Sequence, residues 1–295
     1  MRQAAVLGHP ISHSQSPALH AAAYDHLGLD IDYRRIDVPL EQVNRFLRTE
    51  GAAPGWLGWS VTMPLKSAMA AAVDERSWRV QTLGVLNTVV HRSDDAHTQR
   101  LYGENTDVDG ILQALLEAGL QRARTPDARV FGIIGAGATA TAALAAAAEL
   151  GYTEVRCYAR SMPRAAELQP VADTWGLTLS VAPLETLSND LQDGGSLDAL
   201  VSTLPPRAAD GIAETLPALM PPVPLLDVAY DPWPSALAHA WESAGGPVVS
   251  GLVMLLHQAV KQVELFTAAT ESPAAELTAE SHAQLVAKMR RSIGL

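Results

Sequence analysis

Four short segments gather residue types suited to a small hydroxylated acid. They read GHPISHSQSP at 8–17, SVTMPLK at 60–66, GVLNT at 84–88 and GENTD at 103–107. Lys66 offers a cation, Asn87 an amide and Asp107 an anion for hydroxyl or carbonyl oxygens, and Ser14 and Ser16 can meet a carboxylate. The first three segments follow, end or enter an expected strand, and the fourth precedes an expected helix. In open α/β folds the C-terminal ends of strands line the ligand crevice.

A second constellation lies further along. VFGIIGAGATATAALAAAAELG at 130–151 has a strand, then Gly135-Ala136-Gly137-Ala138-Thr139-Ala140, then an alanine-rich helix. In such a turn the first glycine allows the tight bend and the second lets pyrophosphate approach the backbone. The small residue at 140 lets the helix pack closely, and the helix N-terminus offers N–H groups to phosphate. An NAD site usually carries a carboxylate at the end of the next strand. Here that strand ends in Tyr158-Ala159-Arg160-Ser161. Arg160 can pair with a 2′-phosphate, Ser161 can donate a hydrogen bond, and Arg164 could point back to the same phosphate. The cofactor expected is NADP rather than NAD.

The elements that must position these residues alternate between strand and helix. Strands are expected at 3–8, 31–38, 56–61 and 85–90, the last with Asn87 and Thr88 inside it. Helices are expected at 18–27, 40–48, 66–73 and 108–118. A polar break at 121–129 leads to a buried strand at 131–134, and further strands follow near 154–158, 177–181, 200–202 and 225–228. Residues 229–235, AYDPWPS, read as a rigid turn, and helices close the chain at 253–266 and 279–291.

At roughly 150 residues per domain, 295 residues suggest about two domains. A formal charge of −11 argues against a nucleic acid or an anionic membrane as partner, since both need a basic face. Cys157 is the only cysteine, which excludes an intramolecular disulfide and fits a reducing compartment. The first residues lack the basic stretch and long apolar run of a signal peptide, and no apolar stretch has the length of a membrane span. A cytoplasmic location is expected, and no metal site is.

Taken together, these segments resemble the shikimate dehydrogenase family. The family pattern G-x-P-I-x-H-S-x-S-P-x-x-H stands as GHPISHSQSPALH at 8–20, and V-T-x-P-x-K as VTMPLK at 61–66. GVLNT at 84–88, Asn105-Thr106-Asp107, DVAY at 227–230 and GLVMLLHQ at 251–258 follow in the same order. Ala21, Ser60 and Ala159 stand where the family often has asparagine; at 159 this removes an adenosine-side hydrogen bond but leaves the charge of Arg160.

The resemblance implies that Lys66 and Asp107 are the catalytic pair. It also implies that Ser14 and Ser16 hold the substrate carboxylate with Tyr230 nearby, and that Thr62, Asn87 and Gln258 contact ring hydroxyls. On the cofactor side it implies the 135–140 turn, Arg160, Ser161, Arg164 and Gly251. The reaction implied is reversible reduction of 3-dehydroshikimate to shikimate with NADPH, on the way to aromatic amino acids. Hydride moves between nicotinamide C4 and ring C3, and the proton is carried by Lys66, by Asp107 or by both in relay. The fold implied is α/β: an N-terminal substrate domain at 1–107, an inserted Rossmann-like NADP domain at 108–250, and helices at 251–295 returning to the first. A monomer or homodimer is expected. The alternatives are a quinate/shikimate dehydrogenase of broader use and a non-catalytic NADP-binding regulator.

Overall fold

A computed structural model describes residues 2–93, 99–122, 129–192 and 197–295. Most of the expected polar break, residues 123–128, lies outside them. The chain divides into two compact units, Met1–Thr106 with Leu255–Leu295, and Asp107–Met254. The sequence-based junctions were set after 107 and after 250.

The first unit begins with β1 (Arg2–Gly8), α1 (Ser16–Leu27), β2 (Ile31–Asp37), α2 (Val43–Arg48) and β3 (Trp56–Val61). It continues with α3 (Lys66–Ala72), β4 (Glu75–Arg76), α4 (Trp78–Leu83), β5 (Thr88–Ser93) and β6 (Gln99–Glu104). The sheet order is β2-β1-β3-β5-β6-β4. β1 pairs parallel with β2 and β3, whereas β5 is antiparallel to β3 and β6. The expected strand at 85–90 begins only at Thr88. Val85 and Leu86 peel away because their groups bond elsewhere, Leu86 N to Lys66 O (3.2 Å) and Val85 O to the Asn105 amide (3.1 Å), whereas Asn87 still reaches both neighbouring strands, donating to Glu104 O (3.3 Å) and accepting from Val61 N (2.7 Å). The helix expected at 40–48 is a 3₁₀ turn, Leu40–Gln42, followed by α2.

The second unit contains α5 (Asp107–Glu117), β7 (Val130–Ile134), α6 (Ala138–Glu149), β8 (Glu154–Ala159), α7 (Met162–Ala166) and α8 (Gln169–Thr174). Then come β9 (Thr178–Pro183), α9 (Leu187–Gln192), β10 (Leu197–Ser202), α10 (Asp210–Ala213), β11 (Leu225–Asp227), α11 (Ala236–Ser243) and β12 (Val248–Ser250). All six strands are parallel, in the order β9-β8-β7-β10-β11-β12. Counted from β7 this is the 3-2-1-4-5-6 order of a doubly wound nucleotide-binding sheet. β7 is central, so its Phe131, Ile133 and Ile134 are all buried, as a strand covered on both faces requires. Small side chains let α6 lie close to the sheet, and Ala142–Ala147 are wholly buried.

Two helices end the chain, α12 (Gly251–Thr267) and α13 (Ala279–Ser292). From Leu255 onward they complete the first unit. Leu19, Ala23 and Tyr24 of α1 share a buried cluster with Leu256, Val260 and Val263 of α12 and Leu285 and Met289 of α13. Phe266 packs so tightly on β3 that a Cβ on Gly58 would lie 2.2 Å from its ring. That close approach seats α12 against the strands carrying Ser60 and Thr88. Among the described residues no helix is long and apolar enough to cross a membrane.

Candidate active site

In the first unit the candidates gather where β1, β2 and β3 end. Thr62 N donates to Leu7 O (2.9 Å) and His9 N to Met63 O (3.0 Å), stitching the loop after β1 to the turn after β3. Two β2 side chains hold the serine loop. Asp37 pairs with His9 Nδ1 (2.7 Å) and accepts from Ile11 N (3.3 Å). Arg35 donates twice to Ser14 O, from Nε at 3.0 Å and Nη2 at 2.5 Å. Ser14 Oγ accepts from Ser16 N at 3.3 Å, so the two serines are neighbours. Ser16 is the buried first residue of α1. Lys66 opens α3 and is half-buried, and its carbonyl holds the segment leading to Asn87.

Asn87 is the centre of a buried polar cluster. Its Oδ1 accepts from Thr106 N (2.7 Å) and Thr88 Oγ1 (2.8 Å). Its Nδ2 donates to Thr106 Oγ1 (3.0 Å) and to Gln258 Oε1 (3.3 Å). Gln258 Nε2 donates to Leu255 O at 2.8 Å. Asn87, Thr88, Thr106 and Gln258 are all buried, where a lost partner costs the full desolvation of the group left behind.

One helical turn after Gln258, Gln262 joins the same cluster. It donates to Asn87 O (3.2 Å) and Thr88 Oγ1 (3.0 Å), and accepts from Ser60 Oγ (2.7 Å). Tyr33 donates to Ser60 Oγ at 2.6 Å. His20 stacks on Tyr33 with ring centroids 3.9 Å apart. Burial pushes His20 down to about 3, against the opposing pull of its hydrogen bond to Gln262, and burial drives the Tyr33 hydroxyl well above its ordinary value.

In the second unit the glycine turn has the form a dinucleotide requires. Gly135 sits at φ +107°, a conformation L side chains rarely adopt, and a Cβ there would meet Thr203 Oγ1 at 2.5 Å. Gly137 differs: among the described residues beyond its own chain neighbours, no atom lies within 4 Å of where its Cβ would be. Gly137 is also the N-cap of α6, and no side chain caps that helix. Ala136, Ala138 and Thr139 are partly exposed there, and Ala140 is buried against the sheet. Open space in front of uncapped helix N–H groups fits pyrophosphate.

Arg160, Ser161 and Arg164 are exposed together just after β8. Ser161 caps α7, its hydroxyl oxygen accepting from Arg164 N at 3.5 Å. That leaves the Ser161 O–H able to donate. Asp107 is buried at the start of α5, directly after Thr106. Tyr230 is half-buried, and burial, then the Asp231 charge, raises its hydroxyl. Asp227 holds both ends of its turn, accepting from Ala229 N (3.4 Å) and Ser235 Oγ (2.5 Å). A Cβ on Gly251 would lie 2.2 Å from Val228 O, so packing alone demands glycine there. Among the described residues no group of three or more His, Cys, Asp or Glu side chains could hold a metal ion.

Sequence reading had not singled out Arg35, Asp37, Tyr33 or Gln262. Gln262 carried one signal, its spacing of four from Gln258 on one helix face.

Residues 6–89 match the model of the shikimate dehydrogenase substrate binding domain. An NADP(+) shikimate dehydrogenase of Rubrobacter xylanophilus is 36% identical over 265 residues, 89% of either chain. The crystal structure of Mycobacterium tuberculosis shikimate dehydrogenase superposes with a TM-score of 0.81 at 37% identity, covering 99% of this chain and 100% of that one. The Thermus thermophilus shikimate 5-dehydrogenase, solved in complex with NADP(H) and shikimate, gives 0.74 at 30% identity, with 99% and 100% covered.

Proposed function

The chain belongs to the shikimate dehydrogenase family, and from that premise we propose that it reversibly reduces 3-dehydroshikimate to shikimate with NADPH. The hydrogen bond between Asn87 and Gln258 carries the reading, joining two amides 171 residues apart at 3.3 Å. Both are residues that the family pattern assigns to ring hydroxyls.

When bound, NADPH supplies the hydride. The residues that would hold it are the 135–140 turn, with pyrophosphate at the α6 N-terminus, and Arg160, Ser161 and Arg164 at the 2′-phosphate. Gly251 is assigned to the cofactor side as well. Ser14 and Ser16 are assigned to the substrate carboxylate with Tyr230 nearby, and Thr62, Asn87 and Gln258 to the ring hydroxyls. As negative charge develops on the ring oxygen, the Lys66 ammonium stabilises it and delivers a proton. Asp107 supplies the balancing carboxylate. In the oxidative direction the same groups take the proton back. Supporting Asp107 is its place in the chain, one peptide bond beyond the Thr106 that holds Asn87. The enzyme works in the cytoplasm on small molecules, as a monomer or homodimer, with a substrate-binding domain at 1–107 completed by 251–295 and an NADP-binding domain at 108–250.

The test is steady-state turnover of shikimate and of quinate, each with NADP and with NAD. The expected result is the highest kcat/KM for shikimate with NADP. Equal or better use of NAD would remove the assignment of Arg160, and no turnover alongside NADP binding would mark a regulator.

A further inference from the structure

Arg34 and Arg35 are neighbours on β2 and, by the alternation of a strand, stand on opposite faces of the sheet. Arg34 is neutralised where it stands, pairing with Asp32 at 3.0 Å and with Glu50 at 3.3 Å. Arg35 has no such partner: among the described residues no carboxylate pairs with its guanidinium, in a chain with 32 acidic and 21 basic residues. Its Nε and Nη2 instead form a fork on Ser14 O, at 3.0 and 2.5 Å, and Nη1 has no protein partner among the described residues. Asp37, two residues along the same face, is turned to the other end of the loop, toward His9 Nδ1 (2.7 Å) and Ile11 N (3.3 Å).

The Ser14 carbonyl depends on this fork. The first N–H groups of α1 reach back only to Gln15 O, from Ala18 (3.1 Å) and Leu19 (3.4 Å), and among the described residues no backbone donor arrives at Ser14 O. The Ser14 side chain is engaged on one side. Its Oγ accepts from Ser16 N at 3.3 Å, and among the described residues no acceptor takes its hydrogen. That O–H is open to a ligand oxygen. A neutral hydroxyl donates to a carboxylate and to an ester carbonyl alike. A fixed positive charge on the same residue's carbonyl tells the two apart.

We propose that Arg35 is a specificity-determining residue that acts through Ser14. It holds the Ser14 peptide by its carbonyl and sets an uncompensated guanidinium charge beside the serine loop, so the subsite takes an anionic carboxylate in preference to an uncharged group of similar shape. The inference rests on the assignment of Ser14 to the substrate carboxylate.

Arg35→Gln removes the charge and keeps an N–H donor, whereas Arg35→Lys keeps the charge and loses the fork. Arg35 is exposed, so the fold should tolerate both. The probes are shikimate and its uncharged methyl ester, measured at pH 8 with saturating NADP as the KM for shikimate and the Ki of the ester competing with it. In Arg35→Gln the ratio of ester Ki to shikimate KM should fall about threefold to tenfold, the scale of one unit charge acting near the surface. The change should lie in the shikimate KM, with kcat, the ester Ki and the KM for NADP within about twofold of the parent. Arg35→Lys should keep the ratio within about twofold of the parent's. Raising the salt from about 0.02 M to about 0.5 M should lower the ratio in the parent more than in Arg35→Gln. Should Arg35→Gln fail to fold, Arg35→Met, also uncharged, takes its place. A parental ratio in the uncharged variant, or equal losses of acid and ester, which mark a loop held for its shape alone, overturns the proposal. So does an Arg35→Lys ratio as low as that of the uncharged variant, or a ratio equally sensitive to salt in that variant and the parent. Absence of shikimate turnover in the parent overturns instead the functional reading beneath it.

Discussion

Thr106 and Asn87 bond each other in both directions, the Thr106 amide to Asn87 Oδ1 at 2.7 Å and Asn87 Nδ2 to Thr106 Oγ1 at 3.0 Å. The pair ties the end of β6 to the segment entering β5. Its geometry makes Asn87 a structural residue as well as an expected ligand contact.

Asn87→Leu keeps a similar volume and leaves the buried Thr106 N–H without its acceptor. The expected cost is about 1–3 kcal/mol of stability. Thermal unfolding should show a Tm lower by several degrees, together with a raised KM for shikimate. An unchanged Tm would show that the bonds contribute nothing net.

Lys66→Ala removes the proposed proton donor. Because Lys66 is half-buried at the first turn of α3, the fold should tolerate the change. At saturating substrate kcat should drop by roughly 10²-fold or more, the usual scale of general acid–base catalysis. A kcat near that of the parent takes Lys66 out of the chemistry.

The two glycines of the turn should separate stability from binding. Gly137→Ala places a methyl where, among the described residues beyond its chain neighbours, no atom lies within 4 Å, so Tm should hold while NADPH affinity falls. Gly135→Ala places one 2.5 Å from Thr203 Oγ1 at φ +107°, so Tm itself should fall. Calorimetry and NADPH titration of the two variants distinguish them; equal affinity loss with equal Tm loss would count against the phosphate cradle.

Two histidines predict an acid limit. Burial lowers His91 from 6.5 to about 4 and His20 from 6.5 to about 3. Both folded values lie below the unfolded one, so the unfolded chain binds protons first as pH falls. Their penalty is absent above about pH 6.5 and grows down to about pH 4 for His91 and about 3 for His20. For His91 the whole effect is about 3 kcal/mol. Among the described residues neither His91 ring nitrogen has a hydrogen-bond partner, and the ring stands edge-on to Trp59 at 4.4 Å. His91→Phe should therefore flatten the loss of stability between pH 6.5 and 4, measured by denaturant titration at several pH values. A slope as steep as the parent's would reject His91 as a source.

What could be read in the sequence was local. The Gly135–Gly137 turn announces itself through a buried strand before it and a small-residue helix after it, all within one short stretch. The lysine, the paired serines and Asn87 stood out as polar residues at strand ends. The two-residue β4 gives no periodicity, and β6 begins with Gln99 and Arg100, both exposed, so neither was foreseen. Gln262 was hidden for a different reason. On a helix an isolated glutamine reads as solvated, and only the pairing of α12 with β3 and β5 turns it into a buried donor. Val85 and Leu86 misled because an apolar pair ahead of a strand looks like its start until the hydrogen-bond partners, Lys66 O and the Asn105 amide, are known.

The split of the first unit into residues 1–106 and 255–295 also dictates an order of events during synthesis. When the second unit has fully left the ribosome, Leu19 and Tyr24 still await the helices that will cover them. The nascent chain must carry that bare apolar face through nearly 150 further residues of translation, so the half that emerges first is the half that matures last.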